Sequence, residues 1–396
     1  MKKRGRPDFI LLIVTFLLVG FGVAMVYSAS SIYALDRYKD YAYFGRGQAI
    51  RSVFGIILLL VAMNIPRQFY RRYFLHILAV SFILLLIVLI PGVGIWRNGA
   101  RSWLNFGVTL VQPAELAKIS LIIYLAAIIT KKEARFSELK KGFLPAISVV
   151  TVFFLLIAAQ PDYGSGFILG LTAACVIYAG GARFKHLAIL SVPLIVFTAI
   201  YVLLSPYRQH RLFIFLNPWE DGAGGLGFGY QLIHSFSALA HGGMVGAGFG
   251  KSIEKYLYLP EAHTDFIVAI IGEELGFLGL VVFLLVYLLF IWRLLAVAIR
   301  IQNIFSKLIA IGIASMIYIQ SFINIGGVVG LIPLTGVPLP LVSYGGSSLL
   351  VTLLSVGIVL GLSREIDQTK AEKLANEQKK AKREQGTVWQ RTRASR

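Results

Sequence analysis

Charge is scarce in this 396-residue chain: Asp, Glu, Lys and Arg make up 14% of it, hydrophobic residues make up 57%, and the mean hydropathy is +0.76. A soluble domain carries about 25% charged residues, so a free aqueous globule is excluded. Acid is scarcer than base, with 19 Asp and Glu against 38 Lys and Arg. The single cysteine, Cys175, excludes an intrachain disulfide. A phosphate-binding loop and a Rossmann glycine signature are both missing, which removes nucleotide-driven chemistry. No internal repeat of the inverted-repeat transporter kind stands out, and no carboxylate cluster specifies a metal site.

What fills the chain instead is a series of apolar runs of about 20 residues, the length that crosses a bilayer core. They predict an all-α polytopic membrane protein with ten transmembrane helices, over 8–29, 47–65, 73–91, 112–130, 143–160, 163–181, 186–204, 265–292, 308–330 and 341–363. The first run follows the basic start MKKRGRP and is too long for a signal-peptide core, so it is expected to be retained. On this layout 27 Lys and Arg fall on the side of the N-terminus and 10 on the other, counting Arg51 near the outer end of the second helix, with Lys118 inside the fourth. The positive-inside rule then puts both termini in the cytoplasm. It also accounts for the net charge of +19 without nucleic acid. Residues 1–364 read as the transmembrane domain, with a large extracellular loop over 205–264 between helices 7 and 8. Residues 365–396 read as a basic cytoplasmic tail, expected to be disordered.

Three outer stretches depart from plain connectors. Gly92 to Lys118 offers Arg97, Arg101, Trp96 and Trp103, then Pro113 at a helix start and Glu115 and Lys118 three apart on one face. Tryptophan beside arginine suits a sugar phosphate, since the ring stacks on sugar and guanidinium pairs with phosphate. Interface anchoring is the plainer account of the same rings. Lys118 in apolar sequence needs a partner, and Glu115 is the obvious one. The glycine-dense 205–264 segment supplies Arg211, Lys251, Glu261 and His263, and its piece from Tyr230 to Ala240 is expected to form a re-entrant or interfacial helix. Asn324 to Leu350 holds Pro333, Pro338 and Pro340, which forbid a regular helix. Ser343, Ser347 and the glycines around them offer amide and hydroxyl donors to a phosphate, or simply allow close helix packing.

Asp265 borders the apolar run from Phe266 to Ile270, at the outer mouth of the eighth helix. An acid at that place is a candidate general base. Glu273 and Glu274 follow about 12 Å deeper. His263 either assists binding or faces water. An outward base, an Arg/Trp loop and a lipid-accessible bundle suit a lipid-linked sugar pyrophosphate as substrate.

The blocks GARSWLNFG, QPAELAK, QPDYGS, FLNPW, GGMVGAGFGKS, YLPEAHTDFIVAIIGEELGFLG and LTGVPLPLVSYGGSSLL resemble, in order, the signature blocks of the SEDS family, the FtsW/RodA/SpoVE group. That resemblance implies a ten-helix peptidoglycan glycosyltransferase that polymerises lipid II and releases undecaprenyl pyrophosphate. It implies Asp265 as the catalytic residue and Trp103, Glu115 and Lys118 as functional positions. Arg101, Arg211, Lys251, His263, Ser343 and Ser347 complete the candidate substrate-binding set. The implied partners are a class B penicillin-binding protein, which is a transpeptidase, and other division or sporulation membrane proteins. A divalent cation, Mg2+ or Mn2+, is left open. The blocks LPEAH and GLSRE and the basic tail look closer to the division/sporulation branch than to elongation. A lipid II flippase and a non-catalytic scaffold for the transpeptidase stay as alternatives.

Overall fold

The computed structural model describes residues 5–97, 99–107, 110–132, 136, 138, 142–183, 185, 188, 203, 215–221, 226–227 and 229–367. Its helices are α1 (Phe9–Tyr38), α2 (Tyr43–Asn64), α3 (Arg67–Leu89), α4 (Pro113–Lys131), α5 (Leu144–Ala158), α6 (Tyr163–Ala179), α7 (Tyr230–Gly242), α8 (Ile267–Arg300), α9 (Ile304–Val328) and α10 (Gly346–Asp367). Seven of them (α1–α4 and α8–α10) are long and apolar enough to cross a membrane, and α5 and α6 are shorter apolar helices. The expected crossing at 186–204 lies outside the described residues except for 188 and 203.

Local chemistry sets the helix starts. Asp8 caps α1 by accepting from the Leu11 amide at 2.9 Å, Asp162 caps α6 through the Ser165 amide, and Asn303 caps α9 through the Ser306 amide. Pro113 opens α4 at a position where no amide is needed. Two helices run past the apolar stretches that predict them. The chain stays helical through Tyr38 in α1 and through Arg300 in α8, beyond the expected 29 and 292.

α4, α9 and α10 are largely buried, while much of α2, α3 and α8 faces outward. α9 packs against α4, α6 and α8, and α1 against α2 and α8. One end of the bundle gathers both ends of the described chain. There Arg293 pairs with Asp8 at 2.8 Å, Arg67 with Glu365 at 2.9 Å, and the Ser363 hydroxyl accepts from the Asp8 amide. The opposite end carries the segments with the candidate residues.

Two features there were not foreseen. Three strands, β1 (Ile95–Arg97), β2 (Ala100–Asn105) and β3 (Leu110–Val111), form a small antiparallel sheet, with Trp96 opposite Arg101. In addition, α8 is broken at Gly276, whose φ of 69° and ψ of −175° lie far from helix. The turn after α7 docks its backbone in that break: the Ala247 and Gly248 amides donate to the carbonyls of Glu273 and Glu274, and the Phe277 amide donates to the Gly243 carbonyl.

Candidate active site

The site is assembled on one face of α9. Gln320 and Asn324 are four residues apart, about 6 Å along the axis, so their side chains point the same way. Asn324 Nδ2 donates to the Asp265 and Val337 carbonyls, both at 2.8 Å. Gln320 Nε2 donates to the Pro338 carbonyl at 3.1 Å and to Ser348 Oγ, while its Oε1 accepts from Lys118 Nζ at 3.1 Å. These two amides fasten the proline-interrupted 331–343 segment and hold the start of α8 and the middle of the bundle in one register.

Asp265 is half-buried directly before α8, with Phe266 to Ile271 buried below it. Gly336, at a φ of +70°, turns the 331–343 segment under the carboxylate; a Cβ there would lie 3.6 Å from Asp265 Oδ2. Three non-glycine residues around the site, Leu257, Glu261 and Leu341, have left-handed φ values of 70°, 54° and 68°. Such residues carry strain and collect where surrounding contacts over-determine the backbone.

Lys118 and Glu115 form a buried ion pair of 2.9 Å, with side-chain exposures of 0% and 5%. Next to it, Gln112 Nε2 donates to Asp162 Oδ2 at 2.5 Å and the Gln112 amide to Ser347 Oγ at 3.1 Å. The starts of α4, α6 and α10 therefore meet in one polar network. Burial pushes the Asp162 carboxyl above its usual range, against the opposing hydrogen bonds from Ser165 and Gln112 and the attraction of Lys118.

His263 is buried within a ring of aromatics: its centroid is 4.6 Å from Phe44, 5.5 Å from Tyr344 and 5.6 Å from Tyr33. Its carbonyl accepts from the Tyr344 amide at 2.9 Å. Burial lowers its pKa to about 4, Glu261 pulling it up and Arg97 pushing it further down. The imidazole is thus neutral near pH 7 and anchors the chain two residues before Asp265.

The remaining candidates are placed as follows. Trp103 and Arg101 share the face of β2 opposite to buried Ser102 and Leu104. Arg97 lies 5.9 Å over the Trp103 ring, and Arg101 lies 5.3 Å over Trp96 and donates to the Leu89 carbonyl. Ser343 Oγ accepts from the Leu339 amide at 2.9 Å and stabilises its own turn. Lys251 is exposed. Arg211 lies outside the described residues. Among the described residues no three His, Cys, Asp or Glu side chains converge as a metal site. Two apolar grooves, of about 390 Å³ between α3 and α5 and about 550 Å³ between α2 and α3, are lined by none of the candidates.

A family model described as Cell cycle protein, FtsW/RodA/SpoVE, matches residues 9–368. This chain belongs to the FtsW/RodA/SpoVE family. It is 42% identical over 363 residues to stage V sporulation protein E of Bacillus subtilis, covering 91% of this chain and 98% of that protein. It is 39% identical over 372 residues to a probable peptidoglycan glycosyltransferase FtsW of Geobacter metallireducens, covering 93% and 98%. Among solved structures it resembles a chain of a peptidoglycan synthase complex that coordinates polymerization and crosslinking, with a TM-score of 0.73 and 28% identity, covering 91% and 98%. A mutant of the rod shape determining protein RodA of Thermus thermophilus matches with a TM-score of 0.66 and 26% identity, over 91% and 98%. The chain is thus a multi-pass membrane protein of the FtsW/RodA/SpoVE fold.

Within that fold, sequence reasoning passed over Gln320 and Asn324. Their signal was present: two amides four apart in the second half of the predominantly apolar α9. Glu273 and Glu274, further along α8, are buried and bind neighbouring segments. Glu273 accepts from the Ile253 amide at 2.7 Å, from His241 at 2.9 Å and from the Ser252 hydroxyl. Glu274 accepts from Ser28 at 2.6 Å and from Lys255 at 3.1 Å.

Proposed function

We propose that this member of the FtsW/RodA/SpoVE family is a peptidoglycan glycosyltransferase that polymerises lipid II at the outer face of the cytoplasmic membrane, with Asp265 as general base. The observation that carries the assignment is Asp265 itself, a carboxylate at the mouth of an apolar helix whose backbone is clamped by Asn324 and whose side chain borders Gly336.

In the proposed reaction Asp265 accepts the proton of the GlcNAc 4-hydroxyl of one lipid-linked disaccharide. The oxygen attacks the anomeric carbon of the MurNAc of another, the bond to pyrophosphate breaks, and the carbon inverts to a β-1,4 linkage. Undecaprenyl pyrophosphate departs with the bonding electron pair. Arg101 beside Trp96, and Lys251 on the exposed outer segment, supply positive charge to the leaving group. Lys118, matched by Glu115 and enclosed, is assigned a positioning role through Gln320 and the 331–343 segment.

The identities of 42% and 39% to the sporulation and division proteins, against 26% to the RodA mutant, favour a division or sporulation role. The likeness to a chain of a synthase complex supports a class B penicillin-binding protein as partner. Positive-inside charge supports cytoplasmic termini and an outward site.

The test is glycan polymerisation by the purified chain on lipid II, with and without the transpeptidase. Polymer from the wild type and none from Asp265→Ala or Asp265→Asn is expected. Full polymerisation by folded Asp265→Asn would sink the base assignment, and lipid II translocation without polymer would favour a flippase.

A further inference from the structure

Arg51 lies within α2, about 12 Å along the axis from its outer start at Tyr43. An arginine at membrane depth is costly unless paired, yet Arg51 forms no salt bridge among the described residues. Its guanidinium carbon sits 4.9 Å over the Tyr344 ring, and its Nη1 is buried without a hydrogen-bond partner. Two more polar atoms of the same helix share that condition, Gln48 Oε1 and Ser52 Oγ, on side chains only 0% and 5% exposed. Positions 48, 51 and 52 fall on one side of a helix.

The geometry converges beside Gly47. A Cβ on that residue would lie 3.2 Å from Arg51 Nη1 and 3.7 Å from Tyr344 Oη, so both groups meet over the bare backbone. Gln48 is held by its Nε2, which donates to the Ser343 carbonyl at 3.2 Å. Buried polar atoms are nearly always satisfied. This set is a guanidinium, two hydroxyls and one carbonyl oxygen, which is rich in donors and carries positive charge. Its natural complement is an oxyanion with several acceptor oxygens. Ile50, Val53, Phe54 and Ile57 are exposed on the side of α2 away from Gln48 and Ser52; Phe54, three residues after Arg51, adjoins it at the edge of that side and gives an acyl or prenyl tail an apolar surface to pass over.

We propose that Arg51, Ser52 and Tyr344 form a lateral subsite for the phosphate or pyrophosphate group of a membrane lipid, with Gln48 Oε1 accepting from a hydroxyl or amide of the same molecule. Resting on the glycosyltransferase reading, the favoured source is the lipid-linked pyrophosphate. The subsite joins the candidate base through short links: the Tyr344 amide donates to the His263 carbonyl, and His263 precedes Asp265 by two residues. A lipid entering sideways between α2 and the start of α10 would meet Arg51 before reaching Asp265.

The test is native mass spectrometry of the purified full-length chain, titrated separately with undecaprenyl pyrophosphate and with phosphatidylglycerol. Arg51→Met is expected to weaken retention of undecaprenyl pyrophosphate about tenfold, and Arg51→Lys less, as the fork is lost but charge is kept. Tyr344→Phe, which keeps the stacked ring and removes only the hydroxyl, is expected to weaken it about threefold; this milder variant carries the test if Arg51→Met does not fold. Weakened retention of phosphatidylglycerol alone would keep the subsite and make ordinary phospholipid its source. Unchanged retention of both probes by folded Arg51→Met and Tyr344→Phe would overturn the proposal. A wild type that binds through Arg51 but makes no polymer would overturn the glycosyltransferase reading and leave the subsite standing.

Discussion

Asp265 and Lys118 are held by neighbouring side chains of one helix, and the two residues should fail in different ways. Asp265→Asn keeps the size and the backbone clamp from Asn324, so its melting temperature is expected to match the wild type while polymerisation falls by roughly 10²–10⁴-fold, the usual weight of a general base. Lys118→Met leaves Glu115 as a lone buried acid and is expected to destabilise by about 3–5 kcal/mol. Adding Glu115→Gln should restore most of the melting temperature in detergent; restored folding without restored activity would separate positioning from mere stability. His263 gives a pH signature. Its folded pKa of about 4 lies below the unfolded value of 6.5, so between those values the unfolded chain binds the extra proton. Stability from this group is complete above pH 6.5 and is lost as pH falls towards 4. A melting series from pH 7.5 to 4.5 should show that slope, and His263→Phe, which preserves the aromatic packing, should flatten it.

At the scale of elements, the Gly276 break is the feature on which the outer half of α8 depends. A Cβ on Gly276 would come within 2.2 Å of the Gly246 amide nitrogen, and its backbone angles are open in practice to glycine alone. Gly276→Ala is expected to lower the melting temperature and activity together. Gly20→Ala, in the middle of α1 with nothing within 4 Å, is expected to be neutral or stabilising by up to about 1 kcal/mol. The same comparison shows what was legible in the sequence. Apolar length located seven helices long enough to cross and two shorter apolar ones among the described residues, because hydrophobic runs report directly on the bilayer. The break inside α8 was illegible: Gly276 lies within a run long enough to cross a bilayer, and only the docking of Gly243 to Gly248 against it ends the helical ladder. The three short strands were hidden similarly, since pairing between Trp96 and Arg101 is a matter of register, which residue type alone does not report.

Over the whole molecule, charge places the described termini and the candidate site at opposite ends, and this is open to a direct measurement. In a Cys175→Ala background, a cysteine at exposed Lys251 should react with a membrane-impermeant maleimide on intact cells, and one at exposed Arg300 only after permeabilisation. The reverse pattern would invert the topology. The candidate site was half legible at this scale: Asp265, Glu115 and Lys118 could be named from lone charges in apolar surroundings, whereas Gln320, Asn324 and Gln112 join them only through long-range packing. The interruption at Gly276 also bears on how the protein meets its bilayer. The stretch from 277 to 300 buries one side in the bundle and exposes Leu278, Val282, Leu285 and Leu288 on the other, so its tilt follows membrane thickness. The stretch from 267 to 275 is tied to the loop above it through Glu273 and Glu274. The turn at 243–248 bonds to both sides of the break, to Glu273 and Glu274 above it and to Phe277 and Leu278 below it, so the short rod behind Asp265 takes its orientation from that turn as well as from the longer rod below.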